Sequence, residues 1–237
     1  MTRALPFVIE SFPRCGTHML RTALDRHPQI RCAGEIFNRD AAGCEARTEE
    51  DVEEVLSRRL RGGPDVSGFC VHRVPLGESA YPWRHNSPLD WFRLARRLHE
   101  QGKGIRVIAL NRRNLLRRHV SHLVASQTRR WQYYSPASSP TPVRVDPEDL
   151  EADVDCYRLL WQRARSLVPA ALMIDYESLV ADWEHHIGRI QDYLGVERVP
   201  VRPRTIKPYW PLREVVENYE DLKRHYAGSE LEGWFDE

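Results

Sequence analysis

At 237 residues, with 41% hydrophobic and 29% charged positions, the chain is long enough to bury a substantial core and suits one α/β domain over residues 1–237. A formal net charge of +1 excludes any global electrostatic case for nucleic acid or an anionic membrane, since Arg112, Arg113, Arg117, Arg118, Arg129 and Arg130 crowd a single region instead. Five scattered cysteines with no C-x-x-C pair, no signal peptide before the first strand and no apolar run of bilayer length give the expectation of a cytoplasmic protein with reduced thiols and no membrane span.

Residues 5–9 form a short apolar run of the kind that fits a buried parallel strand. The run breaks at Ser11-Phe12-Pro13-Arg14-Cys15-Gly16, and a helical pattern starts at Thr17 with Met19, Leu20, Ala23 and Leu24 on one face. A strand, a tight turn and a helix start together make an anion site, because free N–H groups and the positive end of the helix dipole converge there. Arg14 would add a cation and Thr17 a hydroxyl.

Set against the triphosphate loop G-x-x-x-x-G-K-[ST] and aligned on Gly16, Ser11 replaces the first Gly, Thr17 the Lys and His18 the magnesium-binding hydroxyl. That points away from a metal–triphosphate site. On these residues alone, a βα turn that happens to contain an arginine is an equal alternative. A second short strand over 30–33 ends at Gly34-Glu35, where open α/β sheets place ligands; a solvated loop carboxylate is the other reading of Glu35.

The pattern P-R-x-G-T-x-x-L, followed by His27-Pro28-Gln29-Ile30 and Gly34-Glu35-Ile36-Phe37, resembles the 5′-phosphosulfate-binding region of sulfotransferases, and most closely the bacterial carbohydrate, Nod-factor-type branch. The family usually has Ser or Thr where this chain has Cys15. The resemblance implies 3′-phosphoadenosine-5′-phosphosulfate (PAPS) as donor, adenosine-3′,5′-bisphosphate as product, and no metal. It implies that Arg14, Cys15, Gly16, Thr17 and His18 hold the donor, and that Glu35 acts as base. His18 would contact the transferring sulfuryl group.

Further along, residues 50–60 read as an amphipathic helix stopped by Gly62-Gly63-Pro64, and 66–74 as a strand. That strand resembles a family segment near the cleft, so His72 either faces the acceptor as a competing base or is a satisfied histidine. Residues 82–88 are turn-rich, 89–99 helical, and 105–110 the next buried strand.

At the end of that strand, Arg113 and, eight residues on, Ser121 have the spacing with which sulfotransferases hold the donor's 3′-phosphate, and Arg117 shares the helix face of Ser121. A charged, solvated helix start is the alternative. His119 and His122 have no third ligand at recognisable spacing, so a metal site is rejected.

Residues 126–150 turn basic, aromatic and then Pro/Ser-rich, which suits an acceptor-side loop or lid with Trp131, Tyr133 and Tyr134 as stacking surfaces, or else a partly packed loop. A helix over 147–167, a strand over 171–174 and a helix over 183–194 capped by Gly195 follow, with Tyr176 and Glu177 read as structural. In the Pro-rich basic arm 202–211, Arg204 or Lys207 would close over the nucleotide, and 212–226 is expected as one final helix.

The expected fold is α/β, a central parallel sheet of about five strands flanked by helices, with the P-loop-like sulfotransferase strand-loop-helix. The expected activity is transfer of a sulfuryl group to the hydroxyl of a small-molecule or glycan acceptor. Its rivals are a nucleotide-binding module without turnover and a P-loop kinase, the latter disfavoured by the missing Lys after Gly16.

Overall fold

The computed structural model describes residues 6–37, 54, 55, 58, 66–72, 105–135, 139–167, 171–206 and 210–235. Of the expected 50–60 helix, Glu54, Val55 and Arg58 are helical; the 82–88 turn, the 89–99 helix and Lys207 lie outside the described residues.

Five strands form one parallel sheet: β1 (Phe7–Ser11), β2 (Ile30–Cys32), β3 (Val66–His72), β4 (Arg106–Asn111) and β5 (Leu172–Asp175), in the spatial order β2-β3-β1-β4-β5. The apolar opening of the chain takes the central place, and all five of its residues are buried. A strand covered on both faces reads as a continuous apolar run, and β1 carries that pattern up to Ile9. The chain runs from β1 toward β2 on one side and later toward β4 on the other. This order puts a topological switch point at the C-terminal end of β1, where ligands sit in open α/β sheets.

Among the described residues, the helices with defined bounds are α1 (Thr17–Leu24), α2 (Leu115–Thr128), α3 (Pro147–Leu167), α4 (Tyr176–Ala181), α5 (Trp183–Leu194), α6 (Leu212–Val215) and α7 (Tyr219–His225). In α3, Leu150, Val154, Tyr157, Leu160 and Ala164 bury one stripe at helical spacing. In α5, Trp183, Ile187, Ile190 and Leu194 do the same, Asp182 caps the start by accepting from His185 N, and Gly195 ends it at φ +66°.

Two expectations are corrected. The helix α2 runs to Thr128, so the loop begins later than residue 126. The final helix is interrupted: Val143 N donates to Val215 O (2.8 Å), Glu217 N donates to Val143 O (3.0 Å), and Asn218 exchanges two side-chain hydrogen bonds with the backbone of Val145. The backbone between α6 and α7 thus pairs with the loop, forming a parallel bridge between Val143 and Val216, instead of continuing its own helical bonds. Helical periodicity survives the break because Val215, Val216 and Leu222 are buried on both sides of it.

Beneath the sheet's centre, Gly68 lies opposite Phe7 in the β1–β3 register, and a Cβ there would sit 2.3 Å from the Phe7 ring. Gly68→Ala is expected to destabilise the fold by about 1–3 kcal/mol through overpacking, measured by urea denaturation.

Candidate active site

The candidate residues gather where four of the strands end. Ser11 ends β1, His72 ends β3, Asn111 ends β4 and Glu35 follows β2 across the Gly34 turn. Parallel register sets Ser11 beside His72 on one side and Leu110 on the other.

The turn after β1 owes its shape to two left-handed residues. Arg14 has φ +68° and Gly16 has φ +90°. For a non-glycine, positive φ is uncommon and costly, so Arg14 must be held by its surroundings. Gly16 is required twice over, since a Cβ there would also lie 2.5 Å from the Tyr176 ring. Gly16 then caps α1 with no side-chain hydrogen bond, and no acidic residue follows in the first turn. The N-terminal amides of α1 therefore keep their attraction for an anion.

Arg14 is locked across the cleft to α2. Its Nε and Nη2 both donate to Ser121 Oγ at 3.1 Å, and its Nη1 donates to the Trp131 carbonyl at 2.8 Å. Burial, and then the neighbouring charge of Arg112, push the Arg14 guanidinium down to about 10. Arg112 donates from Nη1 to the Arg14 carbonyl (2.7 Å) and stacks over Tyr176 at 4.9 Å. Its Nε is buried with no hydrogen-bond partner among the described residues, and burial lowers its pKa as well.

Below the turn, Arg118 is fully buried against the Phe12 and Tyr157 rings and pairs with Asp153 from α3. Burial alone would push the Asp153 carboxyl up, and the guanidinium in contact opposes that. His119 Nδ1 lies 2.8 Å from the other Asp153 oxygen, with its own pKa lowered to about 4, first by burial and then by Arg118. Tyr157 ties this layer to the strand end: its hydroxyl accepts from Arg112 N (2.9 Å) and donates to Asn111 Oδ1.

At the ends of β2 and β3, Glu35 and His72 are hydrogen-bonded to each other. His72 Nε2 lies 3.0 Å from Glu35 Oε1, and His72 Nδ1 lies 3.1 Å from Ser11 Oγ, which also contacts Thr17 Oγ1. His18 Nε2 sits 3.1 Å from the Tyr134 hydroxyl, which donates to Gln132. Burial, then Arg21, lower the His18 pKa to about 4, so its imidazole is uncharged near neutral pH. His27 is remote from these contacts and clamps the loop after α5, with Nε2 donating to Glu197 O at 2.8 Å.

In the segment that ends β4 and opens α2, Ser121 contacts Arg14, and the Arg113 side chain is 61% exposed with its Nε 3.9 Å from Glu177. The Arg-rich start of α2 already has an anion of its own: Glu177 accepts from Arg113 N (3.0 Å) and Asn114 N (3.2 Å), while Asn114 Oδ1 caps Arg117 N at 2.8 Å. Arg117 Nη1 donates to Trp210 O at 3.3 Å.

The basic arm approaches from the other side. Arg204 N donates to Thr22 Oγ1 on α1, and Ile206 N to Tyr133 O (2.9 Å), so arm and aromatic loop are joined. Trp131 and Tyr134 are 45% and 60% exposed beside Arg14 and His18.

Single-sequence reading missed Ser11, Arg112 and the Arg118–Asp153 pair. A lone Asp at an inward position of α3 was the available signal for the last, because a buried carboxylate demands a partner.

Asp153→Asn would leave Arg118 without its counter-charge, at an expected cost of about 3–5 kcal/mol. Urea denaturation should show that loss, whereas Glu230→Gln, on the exposed pair with Arg158, should change stability by under about 1 kcal/mol.

Among the described residues, no helix is long and apolar enough to cross a membrane, and no group of three His, Cys, Asp or Glu could hold a metal ion. No protein-family model matches the chain. It is similar to "Nodulation protein H" of Rhizobium meliloti (strain 1021), with 27% identity over 250 residues that cover 98% of this chain and 95% of the relative. A Nodulation protein H of Rhizobium tropici is 26% identical over 243 residues, covering 98% and 93%. Among solved structures, a sulfotransferase from Alicyclobacillus acidocaldarius superposes with a TM-score of 0.55 at 14% identity, covering 99% of this chain and 96% of its own. The chain thus has the fold of that sulfotransferase and is similar over nearly its whole length to the Nodulation protein H proteins.

Proposed function

We propose that the protein transfers a sulfuryl group from PAPS to an acceptor hydroxyl, on a carbohydrate or glycoconjugate. The observation that carries this reading is the uncapped start of α1, with Gly16 pressed against Tyr176 and Arg14 bonded to Ser121. The residues present fit an anionic nucleotide donor. Arg14, Arg112 and Arg118 all have guanidinium groups lowered by burial, and Arg112 Nε has no hydrogen-bond partner among the described residues. An oxyanion on the turn would offset that desolvation.

Bound there, PAPS supplies a sulfuryl group activated by a phosphate leaving group. By analogy with phosphoryl transfer, a loose in-line transition state leaves the protein mainly positioning and charge stabilisation. Arg14 and the N–H groups of Cys15, Gly16, Thr17 and His18 would stabilise charge growing on the leaving phosphate. His18, uncharged, would direct a hydrogen bond at the transferring group. Glu35, steadied by His72, would take the acceptor's proton. Arg113, Ser121 and Arg117 would meet the 3′-phosphate, with Arg113 leaving Glu177 to do so. Arg204, with Lys207 from the same arm, would cover the nucleotide. Trp131 and Tyr134 offer exposed aromatic faces on which a sugar ring can stack.

The purified chain, incubated with PAPS and a panel of sugar and glycoside acceptors, should release adenosine-3′,5′-bisphosphate only when the right acceptor is present. Donor binding without release for any acceptor would reduce the protein to a nucleotide-binding module. With a productive acceptor, Glu35→Gln should lower turnover by about 10²–10⁴ while donor affinity holds. Arg113→Ala should cost adenosine-3′,5′-bisphosphate roughly 1.5–3 kcal/mol of binding and leave 5′-AMP unaffected, as read by calorimetry. Unchanged discrimination would remove Arg113 from the 3′-phosphate site.

A further inference from the structure

Ser11 is fully buried at the end of β1, and the fold gives it two side-chain partners that both belong to the site. Parallel register places it beside His72, and its Oγ lies 3.1 Å from His72 Nδ1. The same Oγ contacts the hydroxyl of Thr17, the first residue of α1. His72 continues the line to Glu35 at 3.0 Å. Glu35 is itself held to the sheet, because Gly34 turns at φ +67° and its carbonyl accepts from Cys70 N at 2.7 Å.

Exposure grades along the line, from Ser11 at 0% through the His72 side chain at 9% to the Glu35 side chain at 33%. A water-excluded end and a solvent-facing end suit a support that holds a reactive group from behind. Hydrogen bonds inside such a network are stronger than the same bonds in water.

The protons also point one way. With the ring proton assigned to Nε2 from the network, Thr17 donates to Ser11, Ser11 to His72, and His72 to Glu35. Each hydroxyl and the ring then contributes its proton to the next contact toward the carboxylate.

We propose that Ser11 is a positioning residue for the transfer reaction: through His72 it orients the Glu35 carboxylate and ties it to Thr17 at the phosphate-binding start of α1. The proposal rests on the reading of Glu35 as base. Filling the turn and aiming the base become parts of one hydrogen-bonded unit, because Thr17, the first residue of the uncapped α1, donates its hydroxyl to Ser11 and leaves its backbone N–H for an oxyanion.

A double-mutant cycle on the full chain tests it, using PAPS with the acceptor found productive, and adenosine-3′,5′-bisphosphate as the binding probe. Ser11→Ala should lower kcat about tenfold and shift the acidic limb of its pH profile, with the probe's Kd held within about threefold. Placed on Glu35→Gln, the same substitution should lower kcat by less than about twofold, because the group it acts through is already gone. His72→Asn, which cuts the line one step later, should be equally silent on Glu35→Gln, and it carries the test if Ser11→Ala does not fold. Equal losses with and without Glu35, or full kcat in Ser11→Ala, would overturn the positioning role and leave the base standing. Full turnover in Glu35→Gln would overturn the base itself, and this proposal with it.

Discussion

Arg14, Arg112 and Arg118 are all withdrawn from water around the turn that follows β1, and desolvation lowers all three guanidinium pKa values. Removing charges from water is costly unless each is paired and hydrogen-bonded. Much of the molecule can be understood as meeting that demand. Asp153 on α3 answers Arg118, which also lies against the Phe12 and Tyr157 rings. Tyr176 lies under Arg112, and the Arg14 carbonyl accepts its Nη1. Ser121 and the Trp131 carbonyl hold Arg14. Pieces from α2, α3, α4 and the aromatic loop are thereby drawn to one point.

The same arrangement accounts for the shape of the turn. Arg14 and Gly16 both adopt positive φ, which the loop sustains because its side chain and carbonyl contacts leave it no alternative. Tyr176 then excludes any Cβ at position 16, so the backbone of the turn passes close to the ring. Strain, desolvated cations and an uncapped helix start coincide, and each on its own would be a cost. Together they describe a surface whose complement is an oxyanion.

The Glu35 cluster is built on a different principle. Glu35, His72 and Ser11 come from three segments, and what unites them is strand order. With β3 between β2 and β1, the turn after β2 and the last residues of β3 and β1 come together at the C-terminal end of the sheet. The aromatic loop and the basic arm meet above, joined by the Ile206 N to Tyr133 O bond, and the loop's far end is anchored to the bridge at Val143. That anchoring interrupts the C-terminal helix, so the loop's placement and the break are one event.

By itself the sequence determined what depends on local pattern. The parallel strands, the α3 and α5 helices, the Gly195 cap and the strand-turn-helix around Gly16 follow from apolar periodicity and from glycines where a positive φ is needed. The turn's likeness to a sulfotransferase phosphate loop was equally local. Tertiary structure alone decided who touches whom. Ser121 reads by spacing as one of two residues set for a phosphate, and its contact with Arg14 was not legible there, because it depends on α2 packing toward the β1 turn. The Arg-rich start of α2 reads as waiting for an anion, yet Glu177 already serves it from more than sixty residues away in the chain. Glu35 and His72 read as rivals and are hydrogen-bonded partners. Periodicity reports which side of an element faces inward, because that depends only on neighbours in the chain. The pairing of buried polar groups depends on strand order and on which helix covers which turn, and no spacing along one chain encodes either.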